Sequence, residues 1–148
     1  MTVGERGEHG LLDWLRQHLP APGADVIVGV GDDAAVLAPT RGSYLVHTTD
    51  AIVEGVHFDL RWSTPAEVGR RAVAVNLSDL AAMGGRPAWL LLSLVLPDAF
   101  PVASFEALVL AVITCISLVR LYTEVQKDDW RGLAEHIAAH GPQAPVVF

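Results

Sequence analysis

The sequence predicts an α/β or α+β domain, because segments with helical and with strand patterns alternate along its 148 residues. That length suits one ordinary domain that can bury a sizeable core. The composition is 51% hydrophobic and 18% charged. These fractions exclude the disordered class, which is poorer in apolar residues and richer in charge.

Two helices are predicted by their periodicity and their end signals. Four leucines of segment 10–19 share one helical stripe before a proline breaks the pattern. The second helix begins after Thr64, which forms a capping box with Glu67, and Pro65 suits the first helical position. It should run to about Met83, because the two glycines that follow can adopt the left-handed conformation that ends helices.

Four segments have the composition of strands. Residues 25–30 (DVIVGV), 34–38 (AAVLA) and 43–50 (SYLVHTTD) are rich in β-branched and aromatic residues and are separated by turn residues. Residues 88–97 (AWLLLSLVLP) form a strongly apolar fourth strand that ends at a proline.

Charge and targeting signals favour a cytoplasmic protein. The net charge of −7 and the lack of a Lys/Arg cluster exclude nucleic acid as a partner. The single cysteine, Cys115, forms no internal disulfide, and the N-terminus lacks a secretory signal. The apolar segment 108–121 is shorter than the ~20 residues of a spanning helix, so we expect no membrane span.

The stretch VGVGDDAAVL places two adjacent acids, Asp32 and Asp33, directly after a glycine-rich strand end. Its glycine spacing fits the dinucleotide-binding fingerprint, but two carboxylates would face the pyrophosphate there, so that interpretation fails. No Walker A spacing occurs in the chain. A solvated turn is the structural alternative for the two aspartates.

Two further groups of oxygen donors indicate a magnesium site. Strand alternation directs Thr48 and Asp50 to one face and Thr49 to the other. Asn76 and Asp79 share a helix face, and Asp79 lies near the helix C-terminus, where the dipole disfavours a negative charge. A compensating cation would explain that placement, and hard oxygen ligands favour Mg²⁺. An exposed helix acid is the alternative for Asp79.

The strings GDDAAVL, TTDAIVEGVHF and AVNLSDLAAMGGRPAWLLLSLVLP closely resemble the N-terminal half of thiamine-monophosphate kinases, members of the PurM-like ATP-dependent superfamily. The resemblance covers about residues 4–98. It implies a PurM N-terminal-like domain at residues 1–100, with a mixed β-sheet flanked by helices. In that family the sheet pairs with the sheet of a second subunit, which implies a homodimer.

The resemblance also implies site residues, position by position, and no catalytic residue beyond the metal site. The implied metal ligands are Asp33, Thr48, Thr49, Asp50 and Asp79, with Asp32 as a weaker candidate. His57 matches the position that contacts substrate, while Asn76 and Ser78 are expected to support the site.

The implied reaction is transfer of the γ-phosphate of ATP to thiamine monophosphate, with Mg²⁺ as cofactor and thiamine diphosphate as product. Positioning and charge neutralisation would supply most of the catalysis. Two alternatives remain open. The chain could be a non-catalytic half-domain that dimerises and binds Mg²⁺ and phosphate, or a fragment whose apolar tail drives association or membrane-surface attachment.

Residues 101–148 form an unassigned, mostly helical tail that departs from the kinase pattern. The family continues into a Gly-Gly-Asp-Thr strand end and a second domain, and neither occurs here. The string DDWRGLAEHIAAHG resembles the soluble segment after a membrane span in polytopic glycosyltransferases. Alternatively, residues 108–122 form a diverged version of the family's next helix, and residues 129–140 form a separate one.

Overall fold

A computed structural model describes residues 1–31 and 33–140 of the chain, and within them it contains three helices and one small sheet. The elements are α1 (Val3–His18), β1 (Val26–Val28), β2 (Val36–Leu37), α2 (Pro65–Ala82) and α3 (Val102–His140). β1 and β2 pair in antiparallel fashion with an irregular register. The predicted α+β class is therefore confirmed.

Helix α1 begins earlier than predicted. Its N-cap is Thr2, whose hydroxyl accepts a hydrogen bond from the Glu5 amide, while the Glu5 carboxylate accepts one from the Thr2 amide. Gly7 adopts a left-handed φ of 70° and kinks the helix. The predicted leucine-rich segment is thus the second part of a longer, kinked element.

Helix α2 begins and ends as predicted. Thr64 and Glu67 form the capping box, and Pro65 lies in the first turn. The Thr64 amide and hydroxyl donate to the Glu67 carboxylate, and these bonds hold the pKa of Glu67 below the usual value of 4.5. After Met83, Gly84 adopts a φ of 65° and ends the helix.

Two of the four predicted strands do not form in the described part of the chain. Residues 43–50 and 88–97 have strand-like composition, but no backbone ladder joins either segment to a neighbour among residues 1–31 and 33–140. A strand exists only with a hydrogen-bonding partner, whatever its propensity. The mixed sheet is accordingly reduced to the β1–β2 pair. The Trp89 indole, which donates to the Asp25 carboxylate at 2.8 Å, ties the fourth segment to that pair.

The core lies where α2 and α1 pack against the first half of α3. Trp14 of α1 makes an edge contact with Phe105 of α3, with ring centroids 5.7 Å apart. The buried hydrophobic residues are Val3, Trp14, Val68, Val73, Val102, Phe105, Leu108, Val109 and Val112.

Helices α2 and α3 approach each other closely at Gly69, which is buried on α2. A Cβ built on Gly69 would collide with the Leu108 carbonyl oxygen and lie 3.3 Å from the Ala111 Cβ. Only glycine lets the backbones of α2 and α3 approach this closely. The position of α2 relative to α3 is therefore fixed by this contact.

The N-terminus is fastened to the turn before α3. The Val3 amide donates to Phe100 at 2.8 Å, and the Gly4 amide donates to Asp98 at 3.0 Å. Arg6 and Glu106 form a partly buried ion pair at 2.8 Å. α1 and α3 are therefore joined through both backbone and side chains.

Helix α3 is one continuous helix, so the expected separate helices at 108–122 and 129–140 are wrong. No proline interrupts residues 102–140, so no backbone amide donor is lost within the helix, and its one glycine, Gly132, is tolerated. The predicted division of the chain at residue 100 stays a prediction. It falls at the turn before α3, the first half of which belongs to the core.

The apolar part of α3 is also longer than the sequence pattern indicated. Val102–Leu121 is 20 residues long with a mean hydropathy of 2.3, which is enough by length and composition to cross a membrane. By length the segment can therefore span, and the expectation drawn from residues 108–121 is wrong on this point. A buried core helix meets the same criteria, and several residues of the segment lie in the core. The absence of a span stays a prediction.

We predict that Gly69→Ala destabilises the protein, although alanine is the better helix former. The added methyl group would push α2 away from α3, at a cost of about 1–3 kcal/mol in the free energy of unfolding. Urea unfolding measures this, with the exposed Arg71→Ala in the same helix as a control expected to change little. A more stable Gly69→Ala protein would contradict the close packing.

Candidate functional site

The segment of residues 48–50 lies against the C-terminal half of α2. The Thr48 hydroxyl donates to the Asp79 carboxylate at 2.9 Å, and the Asp50 amide donates to the Asn76 side-chain oxygen at 3.1 Å. The earlier residue of the segment meets the later residue of the helix, so the two run in opposite directions. The structure thus brings together Thr48, Asp50, Asn76 and Asp79.

Asn76 is held in one orientation by two hydrogen bonds. Its amide nitrogen donates to the Ala72 carbonyl at 2.9 Å, one turn back in α2. This leaves its oxygen to accept from Asp50, in keeping with the donor and acceptor ends of an amide. Asn76 is partly buried and supports the segment that carries Asp50.

Asp79 lies in the last turn of α2, where it opposes the helix dipole. That turn contains no basic residue to offset the charge. The side chain of Asp79 is exposed, and it accepts a hydrogen bond from Thr48. The Asp79 carboxylate is accessible to a cation from solvent, and binding one would offset the unfavourable interaction with the helix dipole.

The remaining predicted metal ligands are not the partners in the two hydrogen bonds that join residues 48–50 to α2. Asp33 is exposed in the loop between β1 and β2, and Asp32 lies outside the described residues. Thr49 and Ser78 are exposed, and no hydrogen bond of their side chains is found among residues 1–31 and 33–140. Their roles stay predictions.

His57 is fixed within its own tight turn. Its Nδ1 accepts a hydrogen bond from the Val53 amide at 3.0 Å. The Gly55 amide donates to the Phe58 carbonyl at 2.8 Å, and Gly55 takes a left-handed φ of 78°. In the neutral imidazole the proton must then be on Nε2, so His57 presents a donor at the protein surface.

Asp59 is engaged elsewhere, although it lies close to His57 in the sequence. Its carboxylate accepts hydrogen bonds from the Arg61 guanidinium and backbone amide, and these lower the pKa of Asp59. A carboxylate already satisfied by a guanidinium is a poor candidate for a metal ligand.

The oxygen atoms that residues 48–50 and α2 bring together suit Mg²⁺ chemically, but they provide only part of its coordination shell. Hydroxyl and carboxylate oxygens are the hard ligands that Mg²⁺ prefers, and water and substrate phosphates usually supply the rest. In the described part of the chain no three His, Cys, Asp or Glu residues gather closely enough to hold a metal ion. Asp33, Asp50 and Asp79 therefore do not form such a cluster here.

The family model for "AIR synthase related protein, N-terminal domain" matches residues 31–121, which is more than half of the chain. The chain belongs to this family. The match contains every metal-ligand candidate and extends through the first half of α3.

Relatives from three bacteria carry the name thiamine-monophosphate kinase. The chain is 48% identical to the protein of Synechococcus elongatus over 97 residues, 66% of this chain and 28% of that relative. It is 42% identical to the Bacillus subtilis protein over 85 residues, 57% of this chain and 26% of the relative. It is 46% identical to the Escherichia coli K12 protein over 92 residues, 62% of this chain and 28% of the relative.

The resemblance to thiamine-monophosphate kinases is thereby confirmed for the N-terminal part of the chain. The chain spans only 26–28% of the length of these three relatives.

We predict opposite effects of two substitutions in α2 in metal-free buffer. Asp79→Asn removes the charge at the helix end and keeps an oxygen for Thr48, so stability should stay constant or rise by about 0.3–1 kcal/mol. Asn76→Ala deletes two hydrogen bonds and should lower stability by about 1–2 kcal/mol.

Chemical denaturation followed by circular dichroism compares the two variants with the unmodified chain. A loss of stability in Asp79→Asn as large as that in Asn76→Ala would show that the Asp79 carboxylate has a structural role.

Proposed function

We propose that this chain is the metal- and phosphate-binding N-terminal part of a thiamine-monophosphate kinase. The observation that carries the proposal is the family match over residues 31–121, which contains the 48–50 segment and its partners on α2. The kinase names of relatives at 42–48% identity support the same conclusion.

The proposed reaction transfers the γ-phosphate of ATP to the phosphate of thiamine monophosphate. Thr48, Asp50 and Asp79 would hold Mg²⁺, with Asp33 and Thr49 as further ligands from the neighbouring loops. When bound, Mg²⁺ would neutralise the charge of the phosphate groups. No nucleophilic side chain is needed, because the acceptor phosphate itself attacks.

The residues of the chain would contribute orientation. Asn76 keeps the backbone of Asp50 against α2, and Thr48 keeps the Asp79 carboxylate turned towards the same segment. The Nε2–H of His57 would donate to an anionic oxygen of the substrate. Holding reactants in a fixed geometry is the main source of catalysis in phosphoryl transfer.

A second candidate function is a non-catalytic half-domain that dimerises and binds Mg²⁺ and phosphate. The chain spans 26–28% of the length of three kinases, and this candidate is stated for that part alone. Both candidates require the same metal ligands. They differ only in whether product forms.

We predict that the purified chain binds Mg²⁺ and that Asp50→Asn weakens this binding at least about tenfold, as expected when one charged ligand of a hard cation is lost. Asp98→Asn, an equivalent change at an exposed position outside the site, should leave binding unchanged. Isothermal titration measures the affinity, and thiamine diphosphate formation from ATP and thiamine monophosphate measures turnover.

Three results separate the candidates. Mg²⁺-dependent product that is lost in Asp50→Asn supports the kinase. Mg²⁺ binding without product supports the half-domain. Equal Mg²⁺ affinity of the unmodified chain and Asp50→Asn would reject both.

The protein is also proposed to be a homodimer that is joined through its sheet. The segments 43–50 and 88–97 have no strand partner among the described residues, and they expose large apolar side chains. Tyr44 is 98% exposed, Leu91 84% and Val95 96%. Large apolar side chains exposed together in this way are typical of association sites.

Sedimentation velocity should show a dimer at micromolar concentration, and Leu91→Lys should shift it towards the monomer because a charge would be buried in the interface. Met83→Lys, a similar change at a residue that is 71% exposed outside both segments, is the control. A monomer at all concentrations would contradict the proposal.

A further inference from the structure

An arginine from α1 reaches the loop that carries the aspartate pair. Arg16 lies in the last turn of α1, and its Nε–H points to the Val30 carbonyl oxygen at 3.5 Å, the long limit of a hydrogen bond. The two residues are 14 positions apart in the sequence. α1 therefore contacts the segment that directly precedes Asp32 and Asp33.

The guanidinium packs directly on Gly31. A Cβ built on Gly31 would lie 2.8 Å from Nε and 2.9 Å from Cζ of Arg16. These distances are shorter than any that real Cβ atoms adopt. Gly31 also has a φ of 124°, which disfavours a side chain. The glycine thus allows both the turn and the approach of the cation.

Asp13 orients the same guanidinium from one turn earlier in α1. Its carboxylate accepts a hydrogen bond from Arg16 Nη1 at 2.8 Å. Both side chains are exposed, at 46% and 64%, so the pair adds little to stability. The ion pair instead orients Arg16, because it turns the rest of the planar guanidinium towards the loop.

The position of this cation is electrostatically favourable. Two adjacent aspartates follow Gly31, and like charges this close in sequence repel each other. The guanidinium beside Gly31 brings a positive charge to the loop that carries them. A fixed loop also presents a carboxylate to a cation without first losing conformational freedom.

We propose that Arg16 is a positioning residue that fixes the conformation of the 29–31 loop and thereby the placement of Asp33. The part of this proposal that concerns Mg²⁺ rests on the proposed function. The part that concerns the loop does not, since it is a property of the metal-free chain.

The loop is tested first by ¹⁵N relaxation in metal-free buffer. The order parameters of the Gly31 and Asp33 amides should be near those of rigid backbone, about 0.8, and fall below about 0.6 in Arg16→Ala. Amides of α2 should not change. Asp13→Asn keeps a side-chain oxygen that can accept from the Arg16 guanidinium and removes only the charge, so it should leave the loop ordered.

A second variant approaches the same contact from the other side. Gly31→Ala should displace the guanidinium and loosen the loop as Arg16→Ala does. The loop of the Gly31→Ala/Arg16→Ala double variant should then be as ordered as that of either single variant, because the two substitutions remove the same interaction. Arg16→Lys should not restore order, since an ammonium lacks the planar fork.

Mg²⁺ affinity gives the second readout. Arg16→Ala should weaken Mg²⁺ binding about 3- to 10-fold, the usual value of one interaction, without changing the urea midpoint. Asp13→Asn should bind Mg²⁺ like the unmodified chain.

The outcomes separate this inference from the proposed function. Equal order of Gly31 and Asp33 in the unmodified chain and in Arg16→Ala would overturn the inference, whatever the metal does. A loosened loop with unchanged Mg²⁺ affinity would also overturn it, and it would leave the proposed function standing. If the unmodified chain bound no Mg²⁺, the proposed function would fail, and the relaxation data would still decide the role of Arg16 in the loop.

Discussion

The close packing of α2 on α3 is the contact on which the rest of the described structure depends. Gly69 lets the two backbones meet at Leu108, and the buried valines of both helices surround that point. This fixes α2, which is the element that carries Asn76 and Asp79. The segment with Thr48 and Asp50 has no strand partner among the described residues and is placed by those two side chains. The geometry of the candidate site therefore follows from a packing contact between helices.

The packing has a further consequence for the apolar tail. The first half of α3 supplies Val102, Phe105, Leu108, Val109 and Val112 to the core, so its hydrophobicity is needed for folding. The family match also extends to residue 121. A segment that the sequence pattern set apart from the domain thus contributes most of the surface against which α2 is packed.

Several features could be predicted because their signals are local. The capping box at Thr64 and Glu67 predicted the start of α2, and the Gly84 region predicted its end. The same signal at Thr2 and Glu5 marks the true start of α1. Residues 43–50 and 88–97 were predicted as strands from composition alone, but pairing depends on a partner that composition does not supply.

The site was predicted less completely, for a related reason. The sequence alone shows which side chains carry oxygen atoms that can bind a cation, namely those of Thr48, Asp50, Asn76 and Asp79. Their mutual contacts, however, join residues 26 and 31 positions apart. The approach of Arg16 to Gly31 has no periodic or compositional signal at all. Local chemistry therefore predicted which residues matter, while long-range packing decided which of them meet.

The most direct test of the central claim, that residues 48–50 and α2 form a cation site, is paramagnetic broadening by Mn²⁺ in the full chain. The account predicts that the amide signals of Asp50 and Asp79 vanish first and return when excess Mg²⁺ competes for the site. Signals near Asp98, an exposed acid elsewhere, should persist. Broadening that centres on other exposed acids, or that Mg²⁺ does not reverse, would contradict the account.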